Sequence, residues 1–125
     1  MAATLLVVED DDDVRDLAVT VLREEGYRVL QAANGGVAMV MLDQDLPIDL
    51  LFTDVVMPGG PDGFELANLA KQRRPELKVI YTTGYAGLAR ATKEMPLHGK
   101  ILSKPYRPAE IATEVRQLLL GAAGA

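Results

Sequence analysis

The chain has 125 residues, of which 49% are hydrophobic and 25% are charged, and this composition is typical of one globular domain. The absence of cysteine excludes disulfides and thiolate metal sites, and it agrees with the cytoplasmic location that we expect. A net charge of −5 makes nucleic acid an unfavourable partner, because binding to its phosphates depends on Lys and Arg.

Short apolar segments alternate with segments of helical periodicity along the chain. The continuous apolar run at Thr4–Val8 predicts a strand that is covered on both faces, and it is too short to span a membrane. The residues before it lack the basic region of a signal peptide. Apolar residues at helical spacing over Val14–Leu22 predict the first helix, which Asp12 or Asp13 could cap.

The same alternation continues toward the carboxyl end. Further strands are predicted at Tyr27–Ala32, Leu50–Thr53, Val79–Tyr81 and Ile101–Leu102, and further helices over residues 36–43, over residues 64–73 and from Pro108 onward. Between Gly84 and Gly99 the glycines and a proline leave room only for a short helix. We therefore assign residues 1–120 to one domain and residues 121–125 to a frayed tail.

Repeated alternation of strand and helix predicts an α/β fold with a parallel sheet and helices on both faces. Functional residues in such sheets gather at the carboxyl ends of the strands. The polar side chains at or just after the predicted strand ends include Glu9, Asp10, Asp54, Thr83 and Lys104, with Thr82 and Ser103 beside the last two. We therefore expect three carboxylates, a hydroxyl and an amine to lie at one edge of the sheet.

This set of side chains favours phosphoryl chemistry. Three neighbouring carboxylates repel one another unless a cation lies among them, and oxygen ligands without His or Cys favour Mg²⁺. A carboxylate can also act as a nucleophile and form an aspartyl phosphate. Lys104 would then supply positive charge to the phosphoryl oxygens, and Thr83 would donate a hydrogen bond to one of them.

Over nearly its whole length, the chain resembles the response-regulator receiver domains of two-component signalling. The resemblance is carried by the motifs Val7–Asp11, Asp54–Pro58, Asp62-Gly63, Thr83-Gly84 and Ser103–Pro105. Their order along the chain and their positions at predicted strand ends make the combination far more specific than any one of them.

The resemblance implies a flavodoxin-like fold, a doubly wound five-stranded parallel sheet of order 2-1-3-4-5 flanked by helices. It implies Asp54 as the phosphoacceptor, assisted by Thr83 and Lys104, and a cis peptide bond between Lys104 and Pro105. It also implies a Mg²⁺ site made by Glu9, Asp10, Asp54 and the backbone carbonyl of Val56.

Two features depart from the usual receiver pattern. The loop after the acceptor aspartate has one residue more, at Gly59-Gly60-Pro61, and this variant resembles receivers of hybrid histidine kinases and related single-domain regulators. The position three residues before the lysine, normally an aromatic switch residue in the family, is Ile101. Whether Tyr85 or Tyr106 replaces that residue is left open by the sequence.

We expect a phosphoacceptor switch that takes its phosphoryl group from a histidine kinase or a histidine phosphotransfer protein. Phosphorylation would draw Thr83 inward and bias the surface around the fourth helix, the fifth strand and the last helix, which alters affinity for a protein partner. No enzyme activity is expected beyond the domain's own phosphorylation and autodephosphorylation. We expect the autodephosphorylation to be slow, because Val56 and Tyr85 would hinder the attacking water.

Two other functions stay open: a constitutive protein-interaction module, and a Mg²⁺-dependent phosphatase with an aspartyl nucleophile. Phosphatases of the haloacid dehalogenase type need a second Asp two residues after the first, and this chain has Val56 there. A stand-alone regulator and a receiver of a hybrid kinase are both compatible with the sequence.

The remaining charged groups have simpler interpretations. Asp11–Asp13 are interpreted as a solvated charge run and helix cap, Asp62 as a turn residue, and His98 as a surface residue. The basic side chains near the end of the third predicted helix are interpreted as solvated cations that favour a helix carboxyl end: Lys71, Arg73, Arg74 and Lys78.

Overall fold

The computed structural model describes residues 2–58, 60–84 and 98–124, the last four of these through the backbone alone. The strands are β1 (Thr4–Val8), β2 (Arg28–Ala32), β3 (Leu50–Asp54), β4 (Lys78–Thr83) and β5 (Gly99–Ser103). The helices of the described residues are α1 (Asp12–Glu24), α2 (Gly35–Asp43), α3 (Gly63–Arg73) and α4 (Pro108–Gly124). The short helix predicted between Gly84 and Gly99 lies outside the described residues.

The strands and helices predicted within the described residues are confirmed, with differences at their ends. β5 begins at Gly99, which the sequence interpretation had placed in a loop. Gly99 approaches β4 so closely that a Cβ atom there would lie 1.7 Å from the carbonyl oxygen of Val79. The backbone of α4 stays helical to Gly124, past the position where the tail was predicted to begin. Among the described helices, none has the length and apolar character needed to cross a membrane.

The five strands form one parallel sheet in the order β2-β1-β3-β4-β5, which confirms the predicted doubly wound fold. Side chains of alternate strand residues point to opposite faces. Leu6 and Val8 belong to the core between the sheet and helices α2 and α3, whereas Leu5 and Val7 belong to the core on the side of α1 and α4. Because both faces are covered, β1 and β3 are buried along their whole length.

Side chains at the helix starts fix where α1 and α3 begin. The N-cap of α1 is Asp11, whose carboxylate accepts hydrogen bonds from the backbone nitrogens of Asp13 (3.0 Å) and Val14 (3.1 Å). The prediction of Asp12 or Asp13 as the cap is therefore wrong, because both already lie in the first helical turn. Asp62 caps α3, so it is more than a turn residue.

The basic group at the end of α3 is not simply solvated. The Arg74 guanidinium donates hydrogen bonds to the carbonyl oxygens of Leu42 (3.1 Å), Gln44 (2.9 Å) and Leu46 (2.5 Å), at and just beyond the carboxyl end of α2. The Leu42 carbonyl, in the last turn of α2, has no partner within the helix, and the guanidinium gives it and the two carbonyls beyond the helix a hydrogen-bond donor. Arg74 thus joins α2 to α3, a role that the sequence interpretation missed.

Candidate functional site

The predicted acidic residues meet at the carboxyl edge of the sheet. Glu9 follows β1 directly, Asp10 comes next, and Asp54 is the last residue of β3. One carboxylate oxygen from each of the three lies within 4.8 Å of the others. Glu9 and Asp54 are buried, whereas Asp10 is exposed, so this acidic cluster opens to solvent on the side of Asp10.

Lys104 joins the cluster from the end of β5. Its Nζ lies 2.6 Å from Oε1 of Glu9 and 3.0 Å from Oδ2 of Asp54. The side chains of Glu9 and Asp54 are only 4% and 7% exposed, so each carboxylate has lost most of its water. Removing the ammonium would leave two buried negative charges without their cation.

The cluster shifts the acid–base equilibrium of two of its members. Burial by itself would lower the pKa of Lys104, but its hydrogen bonds to Glu9 and Asp54 outweigh burial and raise that pKa. Lys104 therefore remains an ammonium at neutral pH. The pKa of Asp10 is raised, first by its hydrogen bond with the Glu9 side chain, then by burial and by the charge of Glu9. The nearby Glu9 carboxylate thus disfavours ionisation of Asp10, and a bound cation would offset this effect.

Thr83 ends β4 beside the cluster. It is fully buried, and its hydroxyl donates a hydrogen bond of 3.2 Å to the carbonyl oxygen of Gly84. Its neighbour Thr82 is the register partner of Asp54. Val56 follows Asp54 by two residues, and 52% of its surface is exposed. The structure therefore places both residues next to β3 or its end, with the Thr83 hydroxyl bonded to its own loop rather than to the acidic cluster.

The amino end of α3 lies directly against the backbone of Asp54. The Gly63 nitrogen donates a 2.8 Å hydrogen bond to the carbonyl oxygen of Val55. A Cβ atom on Gly63 would lie 2.2 Å from the Asp54 carbonyl oxygen, so only glycine fits this contact. The cap and the first residue of α3 are the Asp62-Gly63 pair that the sequence marked as a motif, and the pair seats this helix against the end of β3.

Comparison with known proteins establishes the family. The response regulator receiver domain family matches residues 5–116. This chain is a receiver domain. It is 38% identical over 119 residues to the response regulator receiver protein CpdR of Brucella abortus, an alignment that covers 94% of this chain and 98% of that protein. It is 36% identical over 121 residues to the sensor kinase CckA of the same species, covering 94% of this chain but 13% of the kinase.

A solved structure agrees with this assignment. The crystal structure of a response regulator receiver protein from Sinorhizobium medicae superposes on this receiver with a TM-score of 0.87 and 30% sequence identity, covering 97% of both chains. The predicted family and the predicted fold are thereby confirmed. Receivers as a family accept phosphoryl groups from histidine kinases.

The position of the missing aromatic switch lies next to a different tyrosine. Ile101 pairs in register with Tyr81 of β4, which is buried and lies 5.2 Å, centroid to centroid, from the Phe64 ring of α3. The Tyr81 hydroxyl accepts a 3.3 Å hydrogen bond from the backbone nitrogen of His98. The His98 ring is half-buried and hydrogen-bonded to Asn68 of α3, so its interpretation as a plain surface residue is wrong.

The two tyrosines named from the sequence have different outcomes. Tyr85 lies outside the described residues. Tyr106 is buried, and its ring contacts Phe52 edge to face at 6.1 Å. Burial, followed by the negative charges of Glu9 and Asp54, raises the pKa of Tyr106. It therefore packs beneath the acidic cluster as a neutral phenol.

The loop that carries Lys104 is shaped by a cis peptide bond to Pro105, as the resemblance implied. An apolar recess of 270 Å³ lies beside this loop. It is lined by Val14, Leu17, Lys104, Pro105 and Tyr106. The recess gives the surface beside Lys104 an apolar part.

Proposed function

We propose that this receiver is a phosphoacceptor switch in which Asp54 takes a phosphoryl group from the phosphohistidine of a histidine kinase or a histidine phosphotransfer protein. The observation that carries the proposal is the buried Asp54 carboxylate, held 3.0 Å from Lys104 within an acidic cluster that is open to solvent. A carboxylate placed in this way is both accessible to a donor and adjacent to the positive charge that a phosphoryl group needs.

The transfer itself requires few groups. A carboxylate oxygen of Asp54 forms the new bond to phosphorus while the bond between phosphorus and the donor imidazole nitrogen breaks, and the electron pair stays with that nitrogen. Lys104 remains protonated. Its ammonium compensates the negative charge first on the Asp54 carboxylate and then on the phosphoryl oxygens. Thr83 turns its hydroxyl from the Gly84 carbonyl to a phosphoryl oxygen.

The carboxylates fit Mg²⁺ by the chemistry of their donor atoms. Three carboxylates whose oxygens lie within 4.8 Å of one another, without His or Cys, form a hard-oxygen ligand set. The pKa of Asp10 is raised first by its hydrogen bond with Glu9, and further by burial and by the charge of Glu9. Glu9, Asp10, Asp54 and the backbone carbonyl of Val56 would hold the ion, with Asp10 as a direct ligand and Glu9 acting partly through water. When bound, Mg²⁺ supplies charge neutralisation between the carboxylates and the incoming phosphoryl oxygens.

The output of the switch is a change in partner affinity. Thr83 is the last residue of β4, so a turn of its side chain toward Asp54 would move the carboxyl end of that strand. The movement would bias the surface around β5 and α4. We expect no reaction on other substrates, and slow loss of the phosphoryl group because the apolar Val56 side chain stands beside the acceptor and disfavours a water there.

The partners we propose are proteins in the cytoplasm, with no role for nucleic acid or a membrane. The similarity to a segment of the sensor kinase CckA supports a histidine kinase or a phosphotransfer protein as the donor. The net charge of −5 disfavours phosphate-rich partners, and the apolar recess beside Lys104 offers a surface to a protein.

The test is the intact mass of the protein after incubation with a small phosphodonor, with Mg²⁺ and separately with EDTA. We expect wild type to gain one phosphoryl group with Mg²⁺ only, and Asp54→Asn to gain none. Asp49→Asn is the matched control, since Asp49 lies just before the other end of β3 and accepts a hydrogen bond from the Thr4 nitrogen. This control should be labelled like wild type.

Two results would contradict the proposal. If Asp54→Asn is labelled as well as wild type, the acceptor assignment is wrong. If wild type is not labelled where a known receiver is, the domain is a constitutive interaction module, and partner capture by the unmodified protein would follow. Transfer from a phosphorylated histidine phosphotransfer protein then tests the proposed donor directly.

A further inference from the structure

The Arg15 side chain of α1 makes three hydrogen bonds, each through a different nitrogen. Nη1 donates to the backbone carbonyl oxygen of Glu9 (2.8 Å), Nη2 to Oδ1 of Asp12 (2.6 Å), and Nε to Oε1 of Gln31 in β2 (3.2 Å). Only 15% of the side chain is exposed. The guanidinium thus fastens the turn between β1 and α1 to the neighbouring strand.

The bond to Glu9 acts on the peptide group that links the two acids of the cluster. The Glu9 nitrogen still pairs with the sheet through a 3.1 Å hydrogen bond to Ala32, but its carbonyl lies past the last paired residues of β1 and β2. The Glu9 carbonyl accepts its hydrogen bond from Arg15 instead. Because this carbonyl and the Asp10 nitrogen belong to one planar peptide group, holding it sets the directions in which the chain presents both carboxylates.

The Glu9 carboxylate is held in the same region by other groups. Its Oε1 accepts from Lys104, and its Oε2 accepts a 3.2 Å hydrogen bond from the Asp11 nitrogen. Asp10 is exposed, so apart from its hydrogen bond with Glu9 the placement of its side chain depends on the backbone on either side of it. The backbone on the amino side of Asp10 is the peptide group that Arg15 holds.

We propose that Arg15 is a positioning residue of the cation site: it orients the peptide between Glu9 and Asp10 so that their carboxylates are preorganised for Mg²⁺. The inference rests on the proposed function, because it assumes that the acidic cluster binds this ion. Partners that orient metal ligands in this way typically contribute about 10- to 100-fold to metal affinity.

The positive charge of Arg15 and its hydrogen bond to the Glu9 carbonyl have opposite effects on Mg²⁺ affinity. A positive charge near the cluster repels a cation, so loss of the charge alone would strengthen Mg²⁺ binding. Loss of the hydrogen bond to the Glu9 carbonyl would weaken it. A variant that keeps the charge but loses this hydrogen bond therefore separates positioning from simple electrostatics.

The decisive variant is Arg15→Lys, which keeps the charge but lacks the planar group that reaches three acceptors. We expect calorimetric titration with MgCl₂ to show a Kd about 10-fold weaker than that of wild type. Arg23→Lys is the matched control, since Arg23 lies on the same helix and donates a 3.0 Å hydrogen bond to the Val29 carbonyl, away from the acids. Its Kd should equal that of wild type.

A second variant tests the positioning role independently if Arg15→Lys is poorly folded. Gln31→Leu removes the acceptor of Nε without touching Arg15 or the acids, and we expect it to weaken Mg²⁺ binding about 3-fold. Mg²⁺ affinity that is unchanged in both Arg15→Lys and Gln31→Leu, or tighter in Arg15→Lys, overturns the positioning role. Wild type that neither binds Mg²⁺ nor accepts a phosphoryl group overturns the proposed function itself.

Discussion

Gly63 offers a direct test of how α3 holds Asp54, the proposed acceptor, in place. Replacing glycine by alanine near the start of a helix normally stabilises a protein by about 0.4–1 kcal/mol, because it restricts the unfolded chain. At Gly63 the added Cβ would lie 2.2 Å from the Asp54 carbonyl oxygen and 2.8 Å from the Val55 Cα. Both contacts are with backbone, which cannot rotate away as a side chain does.

The size of the effect follows from these distances. Side-chain carbons do not approach other atoms closer than 3.0 Å, so the Cβ and the Asp54 oxygen must separate by at least 0.8 Å. Forced overpacking of this kind costs about 1–3 kcal/mol, which exceeds the usual gain from alanine. The shift falls on Asp54 itself, and a displacement near 1 Å can lower a reaction rate by about 100-fold. We therefore expect lower stability and slower phosphorylation together.

Urea unfolding and the rate of labelling by a small phosphodonor measure the two effects. Gly36→Ala is the matched control, because Gly36 also lies in a first helical turn and its Cβ would meet only the Asn34 side-chain oxygen, at 3.3 Å. That side chain can yield, so the control should match wild type in labelling rate and lose little or no stability. If Gly63→Ala is as stable as Gly36→Ala and is labelled at the wild-type rate, the contact between α3 and Asp54 does not position the acceptor.

Three further predictions concern the acidic cluster and its surroundings. Lys104→Met should lose about 2–4 kcal/mol of unfolding free energy in EDTA, because two buried carboxylates lose their cation, and Mg²⁺ should restore much of it. Val56→Asn should shorten the lifetime of the phosphorylated protein, measured by intact mass over time, because an amide can hold a water beside the acceptor. Tyr106 has a raised pKa, so it adds stability below about pH 10 that is lost as pH rises further, and its phenolate absorbance should appear later than that of free tyrosine.

Each of these predictions has a control and a result that would contradict it. For Lys104→Met, an equal loss of stability in EDTA and in Mg²⁺ would show that the cation and the ammonium do not act on the same carboxylates. For Val56→Asn, Val56→Ala separates polarity from size, and an unchanged lifetime in the Asn variant would remove Val56 from the account of slow hydrolysis. For Tyr106, the Tyr106→Phe variant should lose one late phenolate signal and keep that of Tyr81, whose pKa burial also raises. A late signal as large as that of wild type would contradict the prediction.

Most of the fold could be predicted from the sequence because each element has a local signal. The continuous apolar runs of β1 and β3 are the signature of strands buried on both faces, and the helical spacing of apolar residues marks α1 and α4. The order of the strands came from the resemblance to receivers, since periodicity carries no information about which strands are neighbours.

The members of the candidate site were also predictable, because parallel strands bring their carboxyl ends to one edge. Glu9, Asp10, Asp54, Thr83 and Lys104 all lie at that edge. Their pairing was less predictable: Lys104 bonds to two carboxylates that lie 95 and 50 residues earlier in the chain, and the Thr83 hydroxyl bonds to its own loop.

The sequence by itself determined the element types, the family resemblance and the residues that gather at the carboxyl edge, because these depend on residue type and local spacing. Only the tertiary structure decided the roles of Arg15, Gly63 and Arg74. Each acts on a backbone carbonyl of another segment: that of Glu9 just after β1, that of Asp54 in β3, and those at and beyond the end of α2. Every residue has the same carbonyl, so no side-chain pattern identifies the one that an arginine binds or a glycine approaches, and only the packing of the elements selects it.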